Sequence, residues 1–319
     1  MRTRRIPLVV IVAASLALPA GGQEIPDVDQ ILARQRGNQP AGDPPGSDRL
    51  QRLDPGYRLF WTTNDDHIRI VTSIPDVNGD GLDEVIVGVD DSQDKPLICL
   101  DGASSGEATE VWSTRFFDGA SGGSPYSSES IVPVPDTDGN GYPNLLVGTA
   151  WGGRSAYNLD ALDGRILWKF DTYLTPNSGW VYSVAEIDDV NGDGIDDVAF
   201  GTGYPADSVF FVDGADLAGG YATLLWQYHP GDVANSVHSI SDVNGDGIDD
   251  VVAGISDDGD KVVCLESDSS SAAGTLLWQH PTGASVWDMQ ILPDTNGDGI
   301  DEVLAAVWVT GGGAIRCIN

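Results

Sequence analysis

Short runs of β-branched and other apolar residues alternate along most of the chain with clusters of Gly, Asp, Asn and Ser. The clearest stretch reads SVHSIS, DVNGDGIDD, VVAGIS, DDGD, KVVCLES, a Ser/Ala/Gly segment, then TLLWQH. Runs of this kind between turn residues predict β-strands, and apolar residues at helical spacing are absent. Four such strands, A to D, make one antiparallel sheet. The turn between A and B is an acidic loop that recurs, starting at Asp76, Asp136, Asp189, Asp242 and Asp294, in steps of 60, 53, 53 and 52 residues. A period of that size marks stacked or radially arranged units rather than separate domains. The expectation is an all-β fold over residues 57–319, a β-propeller of five four-stranded blades.

The last repeat stops at AIRCIN, its third strand, while YRLFWTT before the first motif resembles TLLWQH. The amino-terminal segment is therefore expected to supply the fourth strand of the fifth blade, closing the ring and hiding its sheet edges. The alternative is a larger propeller, truncated or completed by another chain. Ahead of the repeats stand Arg2, Arg4 and Arg5, an apolar run from Ile6 to Leu18, and the small residues Ala20, Gly21 and Gly22. This is the pattern of a secretory signal over residues 1–22, too short in its apolar part to span a membrane. Residues 23–56, rich in Pro, Gly, Gln and charge, read as a disordered linker. The protein is expected outside the cytoplasm, extracellular or periplasmic.

Charge narrows the partners. With 49 acids against 16 Lys and Arg, the formal net charge is −33, which repels nucleic acid and anionic lipid. No nucleic-acid partner and no membrane insertion after signal cleavage are expected. The acids recur in register in a chain that is 41% hydrophobic, so they read as ligands for cations rather than as a sign of disorder.

Calcium takes six to eight hard oxygen ligands in a flexible cage, and a tight loop with oxygens at alternate positions aims several at one point. Positions 1, 3, 5, 7 (through its carbonyl) and 9 are Asp76, Asn78, Asp80, Leu82 and Glu84 in the first copy. The second offers Asp136, Asp138, Asn140, Tyr142 and Asn144; the third Asp189, Asn191, Asp193, Ile195 and Asp197. The fourth offers Asp242, Asn244, Asp246, Ile248 and Asp250; the fifth Asp294, Asn296, Asp298, Ile300 and Glu302. Up to five calcium ions are expected. The second site, with Asn140 and Asn144 where the others carry acids, should be the weakest. An EF-hand would need Glu at position 12, where the chain has Val87, Val147, Phe200, Ala253 and Ala305.

Through DVNGDGIDDVAFG (189–201) and DVNGDGIDDVVAG (242–254), the chain resembles the FG-GAP or VCBS-type repeats of integrin α-subunit propellers and many secreted bacterial proteins. The resemblance supports the same ligand assignment. LDALDGRILW (159–168) is similar to the tryptophan-docking segment of quinoprotein-type propellers. Trp112, Trp168, Trp226 and Trp278 recur there, with Trp61 at the matching place, and are read as inter-blade packing. Cys99, Cys264 and Cys317 lie in matching strands of different blades and read as buried thiols.

Most familiar catalytic constellations are missing: there is no HExxH, P-loop or CxxC. Seven residues before each motif stand Arg69, Glu129, Tyr182, Asn235 and Trp287, unlike side chains at one repeated place. Trp151, Tyr204 and Trp308 fall in loops between strands B and C. These eight are the candidate ligand-binding residues, on the face opposite the acidic loops. The expected function is calcium-stabilised binding or adhesion, with protein or glycan as partner. The alternatives are a polysaccharide lyase or glycosidase at the axial mouth, using Arg69, Glu129 or His238, and a purely structural scaffold.

Overall fold

The computed structural model describes residues 61–63, 67–89, 95–116, 123–151, 153–172, 179–215, 220–268, 271–309 and 312–319. The expected signal, the linker and residues 57–60 of the closing strand lie outside these. The chain divides into two units, residues 1–64 with 105–107, and residues 65–104 with 108–319. Within the first unit, Trp61–Thr62 pairs in parallel with Gly106–Glu107.

The second unit is built of antiparallel sheets. Sheet one orders Ile68–Ile74, Glu84–Val89, Leu97–Leu100 and Glu110–Thr114 as strands A to D; sheet two orders Ile131–Val134, Asn144–Gly148, Ser155–Asp160 and Ile166–Asp171. Sheet three runs Val181–Ile187, Asp197–Thr202, Val209–Val212, Leu224–Tyr228, and sheet four Ala234–Ile240, Asp250–Ile255, Lys261–Glu266, Thr275–Pro281. Sheet five has three strands among the described residues, Ser285–Leu292, Glu302–Val309 and Gly312–Ile318. Successive sheets pack through their A strands. This is the meander-and-stack of a β-propeller.

Register follows the motif. In every A–B hairpin, position 9 of the acidic loop pairs with the last residue of strand A: Ile74 with Glu84, Val134 with Asn144, Ile187 with Asp197, Ile240 with Asp250, Leu292 with Glu302. Two glycines per loop make this possible by entering the left-handed region, as Gly192 (φ +81°) and Gly194 (φ +94°) do. Near its outer edge each complete sheet carries a bulge, at Val111, Leu167, Leu225 and Leu277. The extra residue re-aims the tryptophan that follows it. The buried indoles of Trp112, Trp168 and Trp226 each donate from Nε1 to a backbone carbonyl of the next sheet, on Ala161, Gly214 and Ser267 at 3.0, 3.0 and 2.9 Å. The inter-blade packing expected of these tryptophans is what the structure shows.

Four apolar cores join the five sheets in sequence. Strand B carries a glycine against each core, at 88, 148, 201 and 254, because the next A strand lies directly over it. A Cβ on Gly148 would stand 2.6 Å from Val181 Cγ1, and one on Gly201 2.5 Å from the Ala234 carbonyl oxygen. Sheet five has Ala306 at this position, exposed, beside Trp287, Trp308 and Ile315, which are 60, 67 and 72% exposed. Val71, whose counterparts Ile131, Val184, Val237 and Met289 are buried, is 46% exposed. Among the described residues, no fourth strand pairs with sheet five. The bare outer face also corrects the reading of the cysteines: Cys99 and Cys264 are buried free thiols, but Cys317 on this sheet is exposed.

Candidate functional site

At the A–B end, all five loops share one wiring. The position-1 carboxylate accepts backbone N–H bonds from positions 4, 5 and 6; in loop three, Asp189 accepts from Gly192, Asp193 and Gly194 at 2.7, 3.1 and 2.7 Å. These bonds, that from Gly194 foremost, hold the Asp189 carboxyl below its ordinary range, and Asp76, Asp136, Asp242 and Asp294 are lowered through the same contacts. Position 9 is buried in every copy. One of its oxygens accepts the N–H of position 2, as Glu84 does from Val77 (3.1 Å) and Asp250 from Val243 (2.8 Å).

The fit to a cation differs between copies. Loops one, three, four and five carry carboxylates at positions 1, 5 and 9. Glu84 Oε1 is buried with no hydrogen-bond partner, an orphan oxygen of the kind a metal ion satisfies. Burial pushes Asp197 and Asp250 up to about 6, the behaviour of acids that lack a compensating charge. These four loops fit calcium, whose charge would neutralise the converging carboxylates. Loop two does not. Asn144 uses its amide internally, accepting from Thr137 N–H at 2.6 Å and donating to the Leu159 carbonyl at 3.4 Å. Arg165 Nη2 lies 3.1 Å from Asp138 Oδ2 and 3.0 Å from Asp160 Oδ2.

One oxygen-bearing position was missed from the sequence. The residue closing strand C, or just after it, is Asp101, Asp160, Asp213, Glu266 or Asn319, always 24 or 25 residues after its motif begins, a regularity that would have revealed it. In blades two, four and five it reaches its own loop: Asp160 accepts from Asn140 Nδ2 at 2.8 Å, Glu266 and Asp268 present oxygens within 4.8 Å of Asp246 and of one another, and Asn319 donates to Asp298 Oδ2 at 3.2 Å.

At the opposite end, a second bulge explains why one repeated place holds unlike residues. Strand A pairs Ile68 and Ile70, but not Arg69, with consecutive residues of strand B; Tyr182, Asn235 and Trp287 are skipped in the same way. A bulged residue leaves the ladder and is re-aimed, so its identity is released from the core. In sheet two the place falls to Glu129, in a 3-10 turn over Ser128–Ser130.

The structure gathers Arg69, Tyr182 and Trp151 with two residues the sequence reading omitted, Tyr126 and Trp180. Trp151 and Trp180 have ring centroids 4.6 Å apart; Tyr126 lies 5.9 Å from Trp151 and 6.2 Å from Tyr182. The Arg69 guanidinium sits 4.6 Å above the Tyr126 ring, a cation–π contact. Trp151 is 41% exposed and left-handed, with φ +56°. That conformation is strained for a tryptophan and is held by the pairing of Ala150–Trp151 with Gly123–Ser124 and by the Arg154 side chain on the Trp151 carbonyl. Tyr204 is 81% exposed.

Glu129 belongs to a different group. Its Oε1 accepts from Ser236 Oγ at 2.9 Å and stands 3.5 Å from His238 Nε2, both on strand A of sheet four, and its carboxyl meets Asp288 of sheet five. Two touching carboxyls bond only when one is protonated. Asp288 is pushed up to about 7, first by its contact with Glu129, then by burial and by Glu129's charge. Burial works to raise Glu129, but its contacts with His238, Asp288 and Ser236 together outweigh it and hold it low. Asn235 Nδ2 donates to the Val286 carbonyl at 3.4 Å. Trp287 and Trp308 lie apart from the aromatic group, lining a groove of about 400 Å³ on sheet five with Ala306 and Ile315.

No protein-family model and no curated protein matches the chain. Among solved structures it is similar to BBS1N, crystallised in complex with ARL6DN, at 11% identity and a TM-score of 0.46, covering 79% of this chain and 65% of that one. It is similar to the rhamnogalacturonan lyase YesW at 17% identity and 0.48, covering 78% and 49%, and to the Dos1 propeller at 13% and 0.49, covering 79% and 58%. The chain spans less than two thirds of the length of each. Likeness at this level says nothing of substrate or partner.

Proposed function

We propose that this β-propeller is a secreted, calcium-stabilised binding module whose ligand is a glycan held on the aromatic platform of Tyr126, Trp151, Trp180 and Tyr182. The observation that carries the reading is the exposed Trp151, fixed in a strained conformation and backed by Trp180. A rigid aromatic face matches the apolar face of a pyranose ring and loses little conformational freedom on binding. Arg69 and the Tyr182 hydroxyl add donors for sugar oxygens. Calcium belongs to the other end, in loops one, three, four and five, where it supports the fold, in keeping with the FG-GAP/VCBS-like motifs. A ring of five blades is what this reading assumes, though Trp61–Thr62, expected in the closing strand, pairs with Gly106–Glu107 and, among the described residues, not with sheet five.

A glycan array probed with the full chain in calcium tests the proposal. Capture of a saccharide by the native chain, lost in Trp151→Ala at unchanged melting temperature, is the expected result. Capture of proteins alone would turn the reading to a protein partner.

The Glu129–Asp288 contact favours one alternative, polysaccharide cleavage at the mouth, because the two carboxyls are pushed in opposite directions, Asp288 up and Glu129 down. Release of new chain ends from a polysaccharide, abolished in Asp288→Asn, would establish it. Without such turnover, the trio of Glu129, His238 and Asp288 is a brace tying sheet two to sheets four and five.

A further inference from the structure

The geometry points to Arg165 as the resident cation of the second acidic loop, a guanidinium standing where the other loops fit a metal ion. This inference rests on the calcium reading for those other loops. Its own support is local. Arg165 Nη2 bridges Asp138 Oδ2 at 3.1 Å and Asp160 Oδ2 at 3.0 Å, and the two acids are nearly buried, with side chains 11 and 3% exposed. Asp138 is at position 3 of the loop, and Asp160 occupies the strand-C position that in blade four brings Glu266 to Asp246. One cation thus joins the acidic loop to the end of strand C.

The rest of the loop has changed to match. Asn140, at position 5, turns its amide outward from acid chemistry and donates to Asp160 Oδ2 at 2.8 Å. Asn144 replaces the buried carboxylate of position 9, so no orphan charge is left. A carboxylate at either position would add negative charge to a cluster that already sets Asp136, Asp138 and Asp160 against one guanidinium. The arginine is particular to this blade: five residues after the strand-C acid, the other repeats have Gly106, Ala218 and Ser271. A fixed guanidinium supplies bidentate-capable donors without depending on free calcium. Blade two is therefore the calcium-independent blade, and the second site is metal-free rather than weak.

Calorimetric titration of the EDTA-stripped full chain with calcium chloride, together with thermal melts, tests this. The native chain should take up four ions, and Asn140→Asp/Asn144→Asp/Arg165→Gln should take up five. Arg165→Gln alone should lower the melting temperature by about 2 °C, and equally in calcium and in EDTA, because Asp138 and Asp160 lose a charged partner that is itself 53% exposed. Five ions in the native chain, or a melting loss on Arg165→Gln that calcium abolishes, would overturn the inference. If no ion binds at all, the calcium reading fails, and the Arg165→Gln melts still decide whether the guanidinium holds the loop: no loss in EDTA would overturn that role.

Discussion

At the A–B end of the blades, five loops repeat one chemistry position by position: an N–H-laden Asp first, two left-handed glycines, a buried oxygen ninth. At the other end, the bulged places hold Arg69, Tyr182, Asn235 and Trp287, which share a location and nothing else. The difference comes from what each end must satisfy. A hairpin closed by a metal-type loop has fixed oxygens and a fixed register, so little can vary. A bulge removes a residue from both the ladder and the core, releasing its identity from the demands of packing. Sameness thus marks where the fold is held, and variety marks where recognition is expected.

The broadest test of this contrast is metal removal. EDTA should lower the melting temperature by more than about 10 °C, since each site saturated a hundredfold above its dissociation constant contributes about 2.7 kcal/mol. Glycan capture measured at a temperature where both forms stay folded should survive. An unmoved melting curve would sink the claim that the A–B end is held by metal.

A packing test comes next. Gly201→Ala should cost about 2–3 kcal/mol in chemical denaturation, because the new methyl meets the Ala234 carbonyl oxygen. Ala306→Gly, at the equivalent place on the bare fifth sheet, should change stability by less than about 1 kcal/mol. Equal costs would show that sheet five is packed as the others are.

Glu84→Gln should cost about 2 kcal/mol in calcium and next to nothing in EDTA, read by paired melts. Trp151→Ala should weaken saccharide capture at least about tenfold, or 1.4 kcal/mol, with the melting temperature held; loss of both together would make Trp151 a structural residue. The smallest effect belongs to Asp288. Its raised folded-state pKa means that its contribution to stability is complete below its ordinary value of 3.8 and is lost as pH rises through about 7. Asp288→Asn should therefore melt slightly above the native chain at pH 8 and lose that advantage by pH 5. A pH-independent difference would remove the Glu129–Asp288 proton from the account.

Much of the contrast was legible in the sequence because turn chemistry and β-patterning are local. Acids and glycines gathered within six consecutive residues announced the loops, and runs of Val and Ile announced strands B and C. The mouth was legible only as a set of positions. Nothing near Trp151 in the chain shows that Trp180 will stack on it, and Glu129 meets Ser236 across 107 residues. Arg165 was hidden for a related reason: it lies 27 residues from Asp138 and outside the motif. Its partner Asp160 was within reach, had the acid after strand C been counted as a repeat. The bulges were illegible because a skipped residue leaves alternation intact on either side of it.

The three indole-to-carbonyl bonds, from Trp112 to Ala161, Trp168 to Gly214 and Trp226 to Ser267, give the molecule a mechanical direction. Each of these three outer strands is hitched to the blade after it, so a pull on the carboxyl-terminal end is met first by sheet five, which among the described residues has no such indole bond from sheet four. Force-extension traces should then show blades yielding one after another from that end, the Trp226 hitch giving way before the Trp168 hitch, and the Trp168 before the Trp112. Such ordered yielding lengthens the chain under load while sheets two and three, which carry the aromatic group, are still folded.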